Sequence, residues 1–178
     1  QLNTPLAPGD LLDTGPGGNV ELQIGARAFV RAAEGTQLGL VTHEPDFLRF
    51  KVSAGHASLD LRELSAGQTV ELDTPNAAFT IERSGYYRVD VAQERTTFIT
   101  RRGGRATLAA AGGAAVAITP SERVVITGTE APRVETDVAP ELTAWDRWNH
   151  ARTADLIEAV SARYLPSSVF GARELDRH

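Results

Sequence analysis

The segment VELDTPNAAFTIERSGYYRVDV, residues 70–91, decides how the fold of this chain is interpreted. Apolar and polar residues alternate at both of its ends, and the turn-forming sequences TPN and RSG interrupt it. Alternation with a period of two, bounded by turn residues, is typical of β-strands. The segment is also similar to VELQIGARAFVRAAEGTQLGLV, residues 20–41. Together the two segments indicate a β-structure that is built from repeats.

An offset of 50 residues aligns identical residues in the two segments. The identities are Val20/Val70, Glu21/Glu71, Leu22/Leu72, Ala28/Ala78, Phe29/Phe79 and Gly35/Gly85. Farther along the chain an offset of 49 fits better, and it aligns Gly55 with Gly104. Repeats of this length are supersecondary units that stack, because one unit cannot bury its apolar face alone. The repeats, over about 20–61 and 70–110, fit either a β-solenoid or a sandwich of two pseudo-symmetric halves.

Short runs of β-forming residues, broken by Gly, Pro, Ser and Asn, continue to about residue 127. We therefore predict an all-β domain over residues 9–128, preceded by a Pro-rich lead-in loop over residues 1–8. A third, weaker copy of the repeat is expected over residues 114–128. Residues 129–139, TEAPRVETDVA, are interpreted as a linker.

The region over residues 140–178 is predicted to hold a helix followed by an extended arm. Pro140 suits the first turn, Thr143 and Asp146 resemble a capping box, and Pro166 limits the helix to about residue 163. Residues at helical spacing form one stripe, which comprises Trp145, Trp148, Arg152, Leu156 and Ala159. We expect this stripe to pack the helix onto the β-domain, where it would cover a sheet edge or an open end.

The composition excludes several classes of function. The net charge of −5 and the absence of charge runs argue against a nucleic-acid-binding surface. The chain has no cysteine, which excludes disulfides, zinc–thiolate sites and cysteine nucleophiles. No apolar run is long enough to span a membrane. Because the chain begins with Gln1 and not with Met, we expect that a signal or anchor segment was removed or that the sequence was trimmed.

Motifs that carry catalysis or metal binding are not found. His43, Glu44 and Asp46 could bind a metal, but a polar turn ahead of the next strand is the favoured interpretation. Glu71 and Asp73 would share one strand face, where a solvated surface is favoured over a glycosidase pair. No nucleophile motif of the G-x-S-x-G kind occurs. We therefore predict no catalytic residue, no metal site and no cofactor.

Four aromatic or basic residues are candidates for binding. If Tyr87 enters the core, alternation displays Tyr86 and Arg88 together, and such a pair suits contact with a protein or a glycan. The alternative is a half-buried aromatic ring beside an arginine that reaches the solvent. Trp145 and Trp148 are interpreted in two ways, as a platform for a ligand or as the anchor of the helix.

The run LDTPNAAFTI, followed by GYYRVDV, TTFIT and Gly-Gly, resembles the FecR domain. The closer likeness is to exported FecR-domain proteins of the non-TonB type, whose β-domain precedes a segment similar to AWDRWNHAR…SARYLPSSVFGARELDRH. The resemblance covers about residues 9–128 and 142–178. It implies a signal peptide, a periplasmic location and a β-solenoid-like module. The iron-signalling members have an anti-sigma segment, a membrane helix and a secretin-and-TonB-like subdomain, which this sequence lacks, so a direct role in iron signalling is not expected.

These observations predict a β-solenoid-like FecR domain with a C-terminal helix and arm packed on it. The expected function is that of a non-enzymatic interaction or sensing module of a bacterial cell envelope. An envelope protein would bind to its sheet edges or loops, for example by strand addition. The alternative is a module that binds peptidoglycan or another glycan through Tyr86, Arg88 and neighbouring aromatic residues. An envelope hydrolase is a remote third alternative, because no motif supports it.

Overall fold

The computed structural model describes residues 4–164, with side chains up to residue 159. Within that range the chain forms thirteen strands and one helix. The strands are β1 (Leu11–Asp13), β2 (Val20–Gly25), β3 (Ala28–Ala32), β4 (Gln37–His43), β5 (Phe47–Leu61), β6 (Thr69–Asp73), β7 (Ala77–Ile81), β8 (Gly85–Ala92), β9 (Arg95–Arg101), β10 (Ala106–Ala110), β11 (Val116–Ile118), β12 (Glu122–Thr127) and β13 (Arg133–Val138); the helix is α1 (Ala144–Tyr164). The chain divides into two compact units between Glu141 and Leu142. The prediction of a mainly β chain with one C-terminal helix is confirmed.

The strands form one curled sheet, a half-barrel, and the long strand β5 belongs to both of its layers. The N-terminal half of β5 pairs with β4 and β6, and its C-terminal half pairs with β3 and β8. The first layer has the order β1-β4-β5-β6-β7-β10-β11, and the second has the order β2-β3-β5-β8-β9-β12-β13. The strand bends at Gly55, whose φ of +91° is readily adopted by glycine. Residues 53–56, SAGH, contain turn-forming residues but form a bend within a continuous strand.

One apolar core lies between the two layers. Phe79 of the first layer stacks on Phe98 of the second layer, with ring centroids 4.1 Å apart. Leu72 is fully buried in this core, and Leu22, its counterpart in the sequence alignment, packs against the same core from β2. Corresponding strands of the two repeats thus reach one interior from opposite layers, which fits a sandwich.

The strands β2–β5 and β6–β10 pair in the same pattern, and we call these strand groups the first half and the second half. In each half the first strand pairs with the second (β2 with β3, β6 with β7). The second strand then pairs with the last segment (β3 with the end of β5, β7 with β10). The third strand pairs with the segment that follows it in sequence (β4 with the start of β5, β8 with β9). The two halves place corresponding strands in opposite layers, as expected for a pseudo-symmetric sandwich.

The structure does not show the predicted solenoid. Among the strands described, β5 and β6 form the parallel pair, and the other pairs are antiparallel. In a solenoid each repeat contacts its neighbours in sequence, whereas here one β-strand joins two facing layers. The third copy expected over residues 114–128 is also not formed as a unit. Strands β11 and β12 lie in different layers and do not pair with each other.

The predicted linker over residues 129–139 contains a strand. All six residues of β13, Arg133–Val138, pair in regular antiparallel register with β12. This strand extends the sheet beyond residue 128, where the β-domain was predicted to end. Charged residues alternate there with Val134, Thr136 and Val138. Because the pattern lacks large apolar side chains, the sequence alone predicts a linker and not a strand.

Helix α1 starts with the predicted capping box. The backbone N–H of Thr143 donates to Asp146 Oδ2 at 2.8 Å, and the N–H of Asp146 donates to Thr143 Oγ1 at 3.2 Å. Reciprocal bonds of this kind satisfy donors that the first turn leaves free. The helix begins at Ala144, so the placement of Pro140 in its first turn was wrong. Among the residues described, no helix combines the length and the apolar character needed to cross a membrane.

The predicted stripe along the helix is not continuously buried. Trp148 has 40% of its surface exposed, and Arg152 and Ala159 are also exposed. Packing of the helix onto the β-domain therefore stays a prediction that rests on the sequence. The predicted arm over residues 165–178 lies outside the described residues.

Candidate functional site

The alternation along β8 predicted that Tyr86 lies on the surface, but the structure buries it. Tyr86 and Tyr87 are both fully buried, although their side chains leave the strand on opposite faces. Tyr87 enters the core between the layers. The opposite face of the second layer is also buried along this line, since Ser58 and Asp60 on the neighbouring strand β5 are fully buried. The prediction failed because alternation indicates which face a residue takes but not whether that face meets solvent.

A charged cluster surrounds Tyr86. The guanidinium carbon of Arg102 lies 5.8 Å from the centroid of the Tyr86 ring, within the range of a cation–π contact. Arg102 also donates to Oδ1 of the buried Asp60, and Arg62 Nε donates to the same oxygen at 3.1 Å. Burial lowers the pKa of Arg102, and the charge of Asp60 acts in the opposite direction. Two guanidinium groups thus compensate one buried carboxylate, which is the condition for keeping such a charge inside a protein.

Arg88 is occupied by an ion pair within the same strand. Arg88 Nη2 lies 2.8 Å from Asp90 Oδ2, and Arg88 Nε donates to Asp90 Oδ1 at 3.0 Å. His56 Nδ1 lies 2.8 Å from Asp90 Oδ1. The Arg88 side chain is mostly buried, whereas 57% of the His56 side chain is exposed. A ligand that recruits Arg88 would have to compete with a bidentate carboxylate, so the binding role predicted for Tyr86 and Arg88 has little support from this geometry.

The two tryptophans of α1 form a stacked pair. The ring centroids of Trp145 and Trp148 are 5.1 Å apart, and their planes differ by 20°. Residues three apart are neighbours on a helix surface, which explains the contact. Trp145 is half-buried, and Trp148 is the more exposed ring. The structure brings together the two residues that the sequence singled out, and their role in binding stays a prediction.

The acidic motifs that were considered for metal binding or catalysis serve as structure. Glu44 and Phe47 exchange backbone hydrogen bonds of 2.9 and 3.3 Å, so the sequence around His43 and Asp46 forms the predicted turn between β4 and β5. Glu71 and Asp73 share one strand face, as predicted. Arg49 Nε lies 2.8 Å from Asp73 Oδ2 and 3.8 Å from Glu71 Oε2. The bond to Asp73 raises the pKa of Arg49. Over the described range, no group of three His, Asp or Glu residues is placed to hold a metal ion.

The TPN sequence, residues 74–76, connects the two layers through hydrogen bonds of Asn76. Asn76 Nδ2 donates to the carbonyl of Gly128 at 2.9 Å, and Asn76 Oδ1 accepts from Thr96 Oγ1 at 2.8 Å. An open depression of about 360 Å³ lies beside this turn, and Lys51, the one lysine of the chain, is at its rim. The polar atoms of the Asn76 side chain are engaged within the fold. This motif is therefore explained by the architecture, and the sequence had not assigned it a contact.

The sheet edges remain as candidate contact surfaces. Strands β1 and β11 each have three residues, and each pairs on one side among the described residues. Strand β2 is longer, but its register shifts between Gln23 and Gly25. Strand β13 is the long edge with regular register. Exposed backbone edges can pair with a strand from another chain, and this property makes them interaction sites.

No protein-family model matches the chain, and the search of curated proteins returned no match. The fold is nevertheless similar to solved structures. Two crystal structures of a "putative anti-sigma factor" from Parabacteroides distasonis ATCC 8503, at 1.65 and 2.50 Å resolution, match with a TM-score of 0.61 each. The sequence identities are 14% and 15%, and each match covers 73% of this chain and 60% of the solved chain. This chain therefore shares its β-fold with that protein and corresponds to about three-fifths of its length.

Proposed function

We propose that the chain is the FecR-type part of a regulatory or sensing protein in a bacterial cell envelope, and that it acts without catalysis. The observation that carries the proposal is the shared fold, since the solved neighbour with this fold is described as a "putative anti-sigma factor". The FecR-like residues of this chain support the same assignment, because LDTPNAAFTI forms the end of β6, the turn after it and β7. An exported, periplasmic location follows from the sequence resemblance and is part of the proposal.

The partner in this proposal is an envelope protein that binds at a sheet edge or a loop. The polar side chains that the sequence offered for contact are engaged within the chain, as the pairs Arg88–Asp90 and Arg102–Asp60 illustrate. The edges instead present backbone groups and exposed side chains, among them Leu11 on β1 and Val138 on β13. Strand addition uses such backbone groups for affinity and the alternating side chains for specificity.

Photo-crosslinking tests this proposal directly. A photoreactive amino acid replaces Gln23 on β2, Ala117 on β11 or Glu135 on β13 in the full-length protein, expressed in its bacterium. The control position is Thr80, which lies on β7 inside the first layer. We expect one envelope protein to be crosslinked from at least one edge position and not from Thr80. Equal labelling from all four positions, or crosslinks to no protein, would contradict edge recognition.

Glycan binding is the second candidate, and one observation favours it. Trp148 is exposed and is stacked on Trp145, and such a pair can serve as a platform for a sugar ring. Co-sedimentation with purified peptidoglycan distinguishes this candidate. If the chain sediments with peptidoglycan and Trp148→Ala abolishes that binding, the glycan function replaces the protein-binding one. If Trp148→Ala has no effect on sedimentation, the glycan candidate is wrong.

A further inference from the structure

Strand β13 differs from the other sheet edges in its length and its regular register. Natural edge strands are usually short, bulged or covered, or they carry proline or charged side chains, lysine above all. Strands β1 and β11 are short, and β2 has an irregular register. Strand β13 has six residues in unbroken register with β12, and it contains neither proline nor lysine. In the described part of the chain no strand pairs with its other side. Five of its six residues are exposed.

We propose that β13 pairs with β13 of a second copy of this chain, in antiparallel orientation and centred on Glu135. This pairing joins the second layers of two molecules into one continuous sheet. A two-fold axis makes the same strand self-complementary, so a single strand can supply both sides of the interface. A second copy on β13 would leave the edges of β2 and β11 to the envelope partner proposed above. The two proposals can fail separately, since a chain that stays monomeric could still bind that partner.

The charges along β13 select this register. Arg133, Glu135 and Asp137 share one face of the strand, opposite the face that packs Val134 against the core. With Glu135 at the centre, Arg133 of each molecule lies opposite Asp137 of the other molecule, whose carboxylate also pairs with Arg123 of its own chain at 2.8 Å. Opposite charges in directly facing positions stabilise a strand pair. The exposed Val138 then lies opposite Pro132 of the second copy, which places two apolar groups together at each end.

Neighbouring registers are less favourable. A pairing centred on Thr136 would set Glu135 against Asp137 twice, and like charges in facing positions destabilise a sheet. A pairing centred on Val134 would bring Arg133 opposite Glu135, but it would leave Asp137 beyond the start of the facing strand. The register centred on Glu135 pairs five strand residues and contains one unfavourable contact, between the two copies of Glu135. Removal of the charge of Glu135 should therefore strengthen this pairing.

Analytical ultracentrifugation of the full chain, between about 1 μM and about 1 mM, measures the proposed association. We expect the average mass to rise toward that of a dimer as the concentration rises. Arg133→Glu should weaken association at least tenfold, and Arg133→Glu combined with Asp137→Arg should restore it. Glu135→Gln should strengthen it several-fold, because the central repulsion is removed. Arg83→Glu, at an exposed position in the turn before β8, makes the same change of charge elsewhere and should have no effect.

Cysteine crosslinking tests the register itself, since the chain has no other cysteine. In Glu135→Cys the two introduced thiols face each other at a Cβ separation of about 5 Å, and a mild oxidant should join them as a disulfide dimer. In Asp137→Cys the two thiols are four residues out of register, about 13 Å apart, and should stay reduced. A wild-type chain that is monomeric up to the highest concentration would overturn the proposal. Equal crosslinking of both cysteine variants would also overturn it.

Discussion

In each half the chain crosses to the other layer and then returns, and the two return crossings differ in their residues. In the first half the crossing is the bend at Gly55 within β5, and in the second half it is the Gly103–Gly104 turn between β9 and β10. Both bring backbones very close together. A methyl group on Gly55 would lie 2.5 Å from Thr36 Cα, and one on Gly85 would lie 2.5 Å from Gly104 Cα. Glycine is required where two backbones approach in this way.

The residue after each crossing is held by one hydroxyl group. Thr36 Oγ1 accepts from the N–H of His56 at 2.9 Å and donates to its carbonyl at 3.0 Å. The Tyr87 hydroxyl does the same for Arg105, at 2.9 and 3.0 Å. His56 and Arg105 correspond at the offset of 49, whereas Thr36 and Tyr87 do not. We call each arrangement a hydroxyl clamp.

The comparison shows that both halves need a hydroxyl group to bind the N–H and the carbonyl after the crossing. The residue that supplies this hydroxyl group differs between the halves. A buried N–H and carbonyl need hydrogen-bond partners wherever the sheet is interrupted. In the second half a tyrosine reaches this position from within the core. In the first half the aligned residue is Leu38, which cannot form hydrogen bonds, and a threonine two residues earlier takes its place. Predictions for the two crossings follow, from the largest expected effect to the smallest.

Gly55→Ala should be the most damaging single change. The methyl group would clash with the backbone of Gly35 and Thr36, and the φ of +91° is unfavourable for alanine. We expect the free energy of unfolding to fall by roughly 3 kcal/mol or more, measured by urea denaturation. Gly67→Ala is the matched control, because Gly67 has a φ of +81° and no atom within 4 Å of the added methyl group. The control should cost about 1 kcal/mol. Equal losses would show that the close approach at Gly55 has no energetic consequence.

The second-half clamp should make stability sensitive to alkaline pH. Burial raises the pKa of Tyr87 to about 12, although the backbone hydrogen bonds act in the opposite direction. Because the unfolded chain loses this proton near pH 10, the stabilisation is present below pH 10 and is lost as the pH rises from about 10 to about 12. The loss attributable to Tyr87 is at most about 2.7 kcal/mol. Denaturation curves across this pH range measure it, and Tyr87→Phe should remove this component.

Tyr87→Phe should also lower stability at neutral pH. The variant keeps the aromatic ring in the core but removes the hydroxyl partner of Arg105 and of the Arg83 carbonyl. The N–H of Arg105 and the carbonyl of Arg83 would lose this partner, whereas the carbonyl of Arg105 would keep the N–H of Glu82 at 2.9 Å. The loss should cost about 2 kcal/mol in urea denaturation. Tyr86→Phe is the matched aromatic control at the adjacent position. A loss from Tyr86→Phe that equals or exceeds the loss from Tyr87→Phe would contradict the special role of the Tyr87 hydroxyl.

Thr36→Val should have the smallest effect of the set, about 1 kcal/mol. It removes the hydroxyl that holds both backbone groups of His56 and keeps the shape of the side chain. The effect should be smaller than that of Tyr87→Phe because Thr36 holds one residue and Tyr87 also holds Arg83. Combining the two substitutions distinguishes separate clamps from a coupled pair. Additive losses are expected for separate clamps, and a large deviation would show that the crossings depend on each other.

Much of the fold could be predicted from the sequence because it depends on local patterns. The alternation around Leu22, Leu72 and Val89 predicts strands, and the sequences TPN and RSG predict turns. The repeat also aligns Gly55 with Gly104, and both glycines lie at close contacts. The capping box of Thr143 and Asp146 was also predictable, since both partners lie within one turn of helix.

The parts that were missed depend on distant contacts. Pairing between layers decides between a solenoid and a sandwich, and no local pattern specifies the long shared strand β5. The burial of Tyr86 depends on groups such as Arg102, in the turn after β9, and Asp60, on β5. Strand β13 has charged side chains on one face and only valine and threonine on the other. It therefore lacks the large apolar residues that indicate a strand in a sequence. The hydroxyl clamp at Thr36 could not be predicted because the sequence alignment pairs Tyr87 with Leu38, which has no hydroxyl group.

Native-state hydrogen exchange of two backbone amides, those of His56 and Arg105, tests the central claim most directly. If both halves close on one shared core, the two amides should exchange with the same opening free energy, equal to that of global unfolding. A His56 amide that exchanges through a much smaller opening than the Arg105 amide would contradict this account. The two halves would then open separately, and the common core and the equivalence of the two clamps would both be wrong.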